Sequence, residues 1–191
     1  ARAQAQLVED LLDISRIMAG KLQIKADAVD LGAVVANAVD TVRAGVSAKR
    51  LNLNVHLPAS CRMFVTGDAD RLQQVVWNLV SNAVKFTPVG GRVDVELRLV
   101  DSRAEIVVSD TGQGIAPHLH PFLFQRFRQL DSSKTRTHGG LGLGLSIVRH
   151  LGEAQGGTVA VESRGEGHGS TFRVTLPLRA IDDRRSIIGQ L

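Results

Sequence analysis

Three alternating apolar residues, Ala104, Ile106 and Val108, run directly into Asp110-Thr111-Gly112-Gln113-Gly114-Ile115. Alternation at a period of two marks a strand with one buried face. Such a strand cannot stand alone, so the chain must build a sheet and cover one side of it. Its end carries a carboxylate followed by two glycines one residue apart. Without a Cβ at Gly112 and Gly114 the backbone can turn sharply, and a flat ligand can lie against it while Asp110 accepts hydrogen bonds. A plain Asp-Thr-Gly turn is the structural alternative, and the flanking residues weigh against it.

Upstream, Arg71 to Phe86 places Leu72, Val75, Val76, Leu79, Val80 and Ala83 at helical period, with Asp68 positioned as the cap. Asn78, Asn82 and Lys85 fall three or four apart, so they share a neighbouring stripe. Asparagines there can satisfy nearby backbone. They can also meet a ligand: an amide oxygen is a hard donor for Mg²⁺, and an ammonium one turn on can meet phosphate. Downstream, Asp131 to His138 is polar, with Lys134 and Arg136 among hydroxyls, and reads as a mobile loop. Gly140, Gly142 and Gly144 then open a helix over Leu145 to Leu151. Bare amides at a helix N-terminus suit phosphate, although glycines there also serve close packing.

The rest of the chain supplies a sheet and its cover. Residues 31–51 are helical in period behind a cap at Asp30, and Leu51, Leu53, Val55 and Leu57 alternate as a strand. Phe64 and Val65 suggest another. Arg92 to Val100 and Ala104 to Ser109 pair about a turn at Asp101-Ser102, a helix is expected over Pro117 to Leu130, and Thr158 to Ser163 and Ser170 to Leu178 close the sheet. The expected fold is α/β, a two-layer sandwich with a mixed, mostly antiparallel sheet. It is preceded by an amphipathic helix over residues 2–21, whose seam is Leu7, Leu11, Ile14 and Met18, widened by Val8 and Leu12 and stopped at Gly20. Neither GxxxxGK[ST] nor a GxGxxG after a strand is present.

Four stretches in this order, NLVSNAVKF, DTGQGI, FLFQRF and HGGLGLGLSIV, resemble the ATP-binding domain of two-component sensor histidine kinases. That fold is shared with gyrase, heat-shock chaperone and mismatch-repair ATPases. The resemblance implies ATP and Mg²⁺ as cofactors. Asn82 would ligate the metal, Asn78 would assist near the phosphates, and Lys85, with Phe86 beside it, would contact them. Asp110 would accept from the adenine amino group, with Gly112, Gly114 and Ile115 lining the base. Phe124 and Phe127 would anchor one end of a lid carrying Lys134 and Arg136. Gly140, Leu141, Gly142, Leu143, Gly144 and Leu145 would wrap the phosphates, and Thr171 in the closing GxGST-type turn would lie near adenine.

In the hydrolysing relatives a glutamate stands four residues before the metal-binding asparagine. Here that place is Asn78, and an amide is no general base at neutral pH. The resemblance therefore implies γ-phosphoryl transfer to a histidine, for relay to a response-regulator receiver domain. None of the six histidines lies in the H-E/D-x-R-x-P-like context of the acceptor, so that helix is expected outside this sequence and no catalytic residue proper inside it. Three further positions depart from the usual motif residues or propensities: Leu141, Gln125 and Gly152, the last in a helix.

Residues 1–24 read as the end of a dimerisation hairpin and its linker, 25–178 as the catalytic domain, and 179–191 as a linker or tail, in a parent expected to be a cytoplasmic or membrane-anchored homodimer. Composition supplies the limits. Net charge of +4 and pI of about 9.8 are spread rather than clustered, and aromatics are only 4%, so no nucleic-acid partner is expected. Cys61 stands alone, which excludes an internal disulfide. The alternative from another class is a docking module that keeps the fold without the chemistry. Intact Asn82, Lys85, Asp110 and glycines argue against it.

Overall fold

The computed structural model describes residues 2–58, 62–127 and 141–179, without the side chains of residues 2–7 and 10. Its centre is a five-stranded sheet in the order β2 (Asn52–His56), β4 (Arg92–Val100), β5 (Arg103–Asp110), β7 (Ser170–Pro177) and β6 (Thr158–Glu162). Only the β2–β4 pair is parallel, because β3 and a helix intervene between those strands; the other pairs are antiparallel. Asp101 and Ser102 both take positive φ in the tight β4–β5 turn. The expected mixed, mostly antiparallel sandwich is the observed one.

One face of the sheet is apolar in strict alternation: Val93, Val95, Leu97, Ala104, Ile106, Val108, Phe172, Val174 and Leu176 are buried. A layer of three helices covers it, α2 (Leu31–Ala48), α3 (Ala69–Phe86) and α4 (Gly144–Ala154). Asp30 caps α2 by accepting from the Gly32 amide, and Asp68 caps α3 by accepting from Asp70 and Arg71. Gly152 is no weak point in α4. It is buried, and a Cβ there would lie 3.1 Å from Val159 Cγ2, so its smallness lets the helix settle on β6. The opposite face of the sheet is polar and carries pairs such as Asn54–Asp94, Arg98–Glu105 and Arg173–Glu162.

Four expectations change. A short strand, β1 (Asp27–Asp30), which the pattern did not reveal, pairs with β3 (Phe64–Gly67) as a separate two-stranded sheet. The helix expected over residues 117–130 is a single 3₁₀ segment, Pro117–Phe122, followed by turns as far as the description runs. Pro121 inside it has no N–H to continue an α-helix. The α4 helix begins at Gly144 and runs to Ala154, beyond the expected Leu151.

The fourth change concerns α1 (Arg2–Met18). Of its expected seam only Ile14 is buried against this domain: Val8, Leu11, Leu12 and Met18 are each at least half exposed, and Leu7 lies outside the described side chains. The buried line is Asp13, Ile14 and, partly, Ile17. Asp13 is only 3% exposed because Arg71 Nη1 and Gln74 Nε2, both on α3, donate to its Oδ2 at 2.8 Å. A left-handed Gly20 ends the helix region as expected. Among the described residues no helix is long and apolar enough to cross a membrane.

Candidate nucleotide site

The C-terminal half of α3, the start of α4 and the loop after β5 meet at one end of the sandwich. Asn78 is 6% exposed, and its Nδ2 has no hydrogen-bond partner. Only one other buried side-chain nitrogen or oxygen among the described residues shares that condition, Arg173 Nε on the far face of the sheet. An unpartnered amide in a buried position is costly unless something else completes it. Asn78 lies against the first residue of α4: a Cβ on Gly144 would be 3.0 Å from Asn78 Oδ1.

That helix start has no side-chain cap, since Leu143 occupies the cap position and Ser146 Oγ donates to the Leu143 carbonyl instead. The start of α4, which no side chain caps, and the Asn78 amide with its unpartnered donor therefore lie side by side. Asn82 and Lys85 follow on the same helix, half-buried. Burial pushes the Lys85 ammonium below its ordinary pKa of 10.5, and its Nζ lies 5.0 Å from the centre of the Phe86 ring. Gly142 is left-handed, Leu143 is buried, Leu145 packs against the core and Leu141 is exposed. Lys134, Arg136 and Gly140 lie outside the described residues.

On the other side, Asp110 is held twice. Its Oδ1 accepts from the Gly112 amide at 2.7 Å and its Oδ2 from Ser170 Oγ at 2.5 Å. The two glycines also serve close packing. A Cβ on Gly112 would come within 2.6 Å of the Phe86 carbonyl, and one on Gly114, at φ +70°, within 2.0 Å of the Gly165 carbonyl. The bare backbone is occupied from behind, by the protein itself. Gln113 N–H donates to Phe86 O, which ties this loop to the end of the helix bearing the asparagines.

Thr171 is not brought to this side. In β7 it pairs with Ser109, to whose hydroxyl it bonds at 2.9 Å, on the polar face of the sheet. The residue opposite Asp110 is Ser170. A one-residue step along a strand reverses the face, and so the neighbouring hydroxyl holds the carboxylate. Phe127 is likewise not an anchor in the described structure, being 60% exposed with a positive φ. Phe124 packs on the core beneath Arg149, and Arg126 Nη2 donates to His150 Nε2, so the segment is fastened to α4 by these neighbours.

Lys49 gave no sequence signal. Its ammonium donates to the carbonyls of Val84, Lys85 and Thr87, capping the C-terminus of α3 from another helix's end. A cleft of about 510 Å³ lies elsewhere, between α1 and the N-terminal half of α3, lined in part by Asp13, Arg71 and Trp77. It does not include the asparagines.

The comparisons agree with this geometry. The family described as histidine kinase-, DNA gyrase B- and HSP90-like ATPase matches residues 67–180. The chain is 43% identical to hybrid signal transduction histidine kinase D of Dictyostelium discoideum over 93% of its own length and 12% of that protein's. It is 37% identical to the circadian input-output histidine kinase CikA of Synechococcus elongatus, over 95% of this chain and 25% of that one. Among solved structures, a mycobacterial sensor histidine kinase, MprB, superposes with a TM-score of 0.70 at 31% identity, covering 81% of this chain and 98% of that one. Full-length ShkA in complex with AMPPNP superposes with a TM-score of 0.78 at 30% identity, over 91% of this chain and 35% of that one. The chain belongs to this ATPase family, as the ATP-binding catalytic domain of a sensor histidine kinase. It spans a quarter or less of the length of the two full-length relatives named first.

Proposed function

We propose that the domain holds Mg-ATP so that its γ-phosphoryl group passes to a histidine on another helix of the parent, and from there to an aspartate of a response regulator. The observation that carries this reading is Asn78. It stands where a hydrolase needs a proton acceptor, and an amide cannot serve as one. Its buried Nδ2 lacks a partner beside the uncapped start of α4, which suits an anionic phosphate oxygen at that point. Attack by water is therefore unassisted there, and a positioned imidazole has the advantage.

Among the described residues no group of three or more His, Cys, Asp or Glu side chains could hold a metal. Mg²⁺ fits nonetheless as a ligand-borne ion: the Asn82 amide oxygen would supply one protein ligand and the phosphates the others. Bound there, the ion would neutralise charge that develops on the phosphate oxygens. Lys85 adds a cation on the same stripe, Asp110 fixes the base edge, and Lys49 and the Phe86 carbonyl hold the two sides in register. Within the same proposal, residues 1–24 are the end of a dimerisation hairpin with its linker, and residues 25–178 are the catalytic domain of a cytoplasmic kinase region.

Calorimetric titration with ATP, with and without Mg²⁺, tests the site. Saturable binding strengthened by Mg²⁺ is expected. Asn82→Ala should abolish the Mg²⁺-dependent increment, and Asp110→Asn should weaken adenine nucleotides with or without the ion. Binding of Mg-ATP that neither substitution alters would overturn the residue assignment. A folded chain that binds no nucleotide would favour a docking module instead.

A further inference from the structure

The loop that presents Asp110 contains two glycines, and glycine-rich backbone does not hold a shape on its own. Its near end is fixed by Asp110 Oδ1, which accepts from Gly112 N–H. Its middle is fixed by backbone bonds, from Gln113 N–H to Phe86 O and from Gly167 N–H to Gln113 O. The far end, Gly114-Ile115, depends on a side chain from a distant part of the sequence. The amide of Ile115 donates to Ser163 Oγ at 2.9 Å, and the same hydroxyl donates to Gly169 O at 2.6 Å.

Ser163 is the first residue after β6, and Gly169 the last before β7. One hydroxyl therefore joins the end of β6, the entry to β7 and the far end of the Asp110 loop. The strand entered from Gly169 begins with Ser170, whose own hydroxyl holds Asp110 Oδ2. The fit between the segments leaves no slack, because a Cβ on Gly169 would lie 1.9 Å from the Asp110 carbonyl oxygen. A simple turn-stabilising role for Ser163 needs only its contacts within the β6–β7 turn, with Gly169 O at 2.6 Å and with the Gly165 amide and carbonyl at 3.4 Å. The bond from Ile115 N–H, 48 residues away, is the one that such a role does not need.

From this geometry we infer that Ser163 is a positioning residue for base recognition: it holds the Gly112–Ile115 backbone and Asp110 at the spacing that selects adenine over other bases. The inference rests on the nucleotide reading given under Proposed function. It adds that base selectivity is set by a side chain that does not touch the ligand.

The test uses the 191-residue chain and three probes: ADP, GDP and inorganic tripolyphosphate. Ser163→Ala orphans the Ile115 amide and frees the far end of the loop, so ADP affinity should fall by about tenfold. The ADP-to-GDP affinity ratio should fall by a similar factor. Tripolyphosphate, which engages only the α3 and α4 side, should bind as in the parent. Ser163→Cys, similar in size but a weaker hydrogen-bonding group, should fall between the two. If Ser163→Ala does not fold, the cysteine variant is read alone, against the same ratio. A ratio unmoved in the variants, or equal weakening of all three probes, would overturn the role of Ser163 while leaving the site assignment intact. A parent that binds ADP no better than GDP overturns the base reading itself, and this inference with it.

Discussion

The two halves of α3 treat their polar residues in opposite ways. In the N-terminal half, Arg71 and Gln74 converge on Asp13 of α1, and Asp68 caps the first turn. Gln155 joins in from just after α4, accepting from the Asp68 amide and donating to Leu151 O. In the C-terminal half, Asn78 is buried with a donor unpartnered, and Lys85 is held as a cation in surroundings that disfavour charge. One helix thus serves as an anchor at one end and as an unfinished site at the other. Polarity completed inside the protein marks architecture, whereas buried polarity left incomplete marks the place of a ligand.

The largest effect should come from breaking the finished half. Arg71→Ala leaves the Asp13 carboxylate, 3% exposed, with only the longer 3.8 Å ion pair to the exposed Arg16. Removing one member of a buried pair is strongly destabilising, and with Arg71 partly exposed the loss should be about 2–3 kcal/mol. Urea unfolding measures it. Hydrogen exchange should show α1 losing protection before the sheet does. A loss under about 0.5 kcal/mol, the range of an ordinary surface substitution, would mean that α1 is not held by this pair.

A smaller effect of opposite sign is expected in the unfinished half. Asn78→Ala deletes a buried group that has no partner and replaces it with a better helix former. The domain free of nucleotide should become more stable by about 0.5–1 kcal/mol, while ATP affinity falls. Gln74→Ala, which removes the second donor of the clamp on Asp13, should do the reverse, lowering stability and sparing affinity. Thermal unfolding of both variants, with and without ATP, decides the matter. If both lose stability and keep affinity, the contrast between the halves fails.

The sequence discloses the finished half more readily than the site. The caps Asp30 and Asp68 and the apolar periods of α2 and α3 are local signals, so they could be read directly. Asp110 and the α3 amides were legible through residue type and spacing. What escaped notice depends on partners distant in the chain. The choice of Ser170 over Thr171 rests on strand parity relative to β5, and Lys49 gains meaning only when α3 ends beside it. Ser163 belongs to the same class. Period alone likewise does not tell that Asp13 of α1 faces inward, since α3 carries Arg71 and Gln74 to meet it.

The last and smallest effect is in pH. Burial lowers the pKa of Lys85 in the folded domain below its ordinary 10.5. The folded state therefore binds a proton at this side chain less tightly than the unfolded state does. Stability from this group is present above pH 10.5 and is lost as pH falls through the lowered folded value. Nucleotide affinity should run the other way, because phosphate favours the ammonium form and that form disappears as pH rises through the same window. Titrations with ADP at increasing pH should show affinity declining before 10.5 is reached, and Lys85→Met should remove that decline. An identical decline in the methionine variant would place the titrating cation elsewhere, and would leave Asn78 as the better marker of where the phosphates sit.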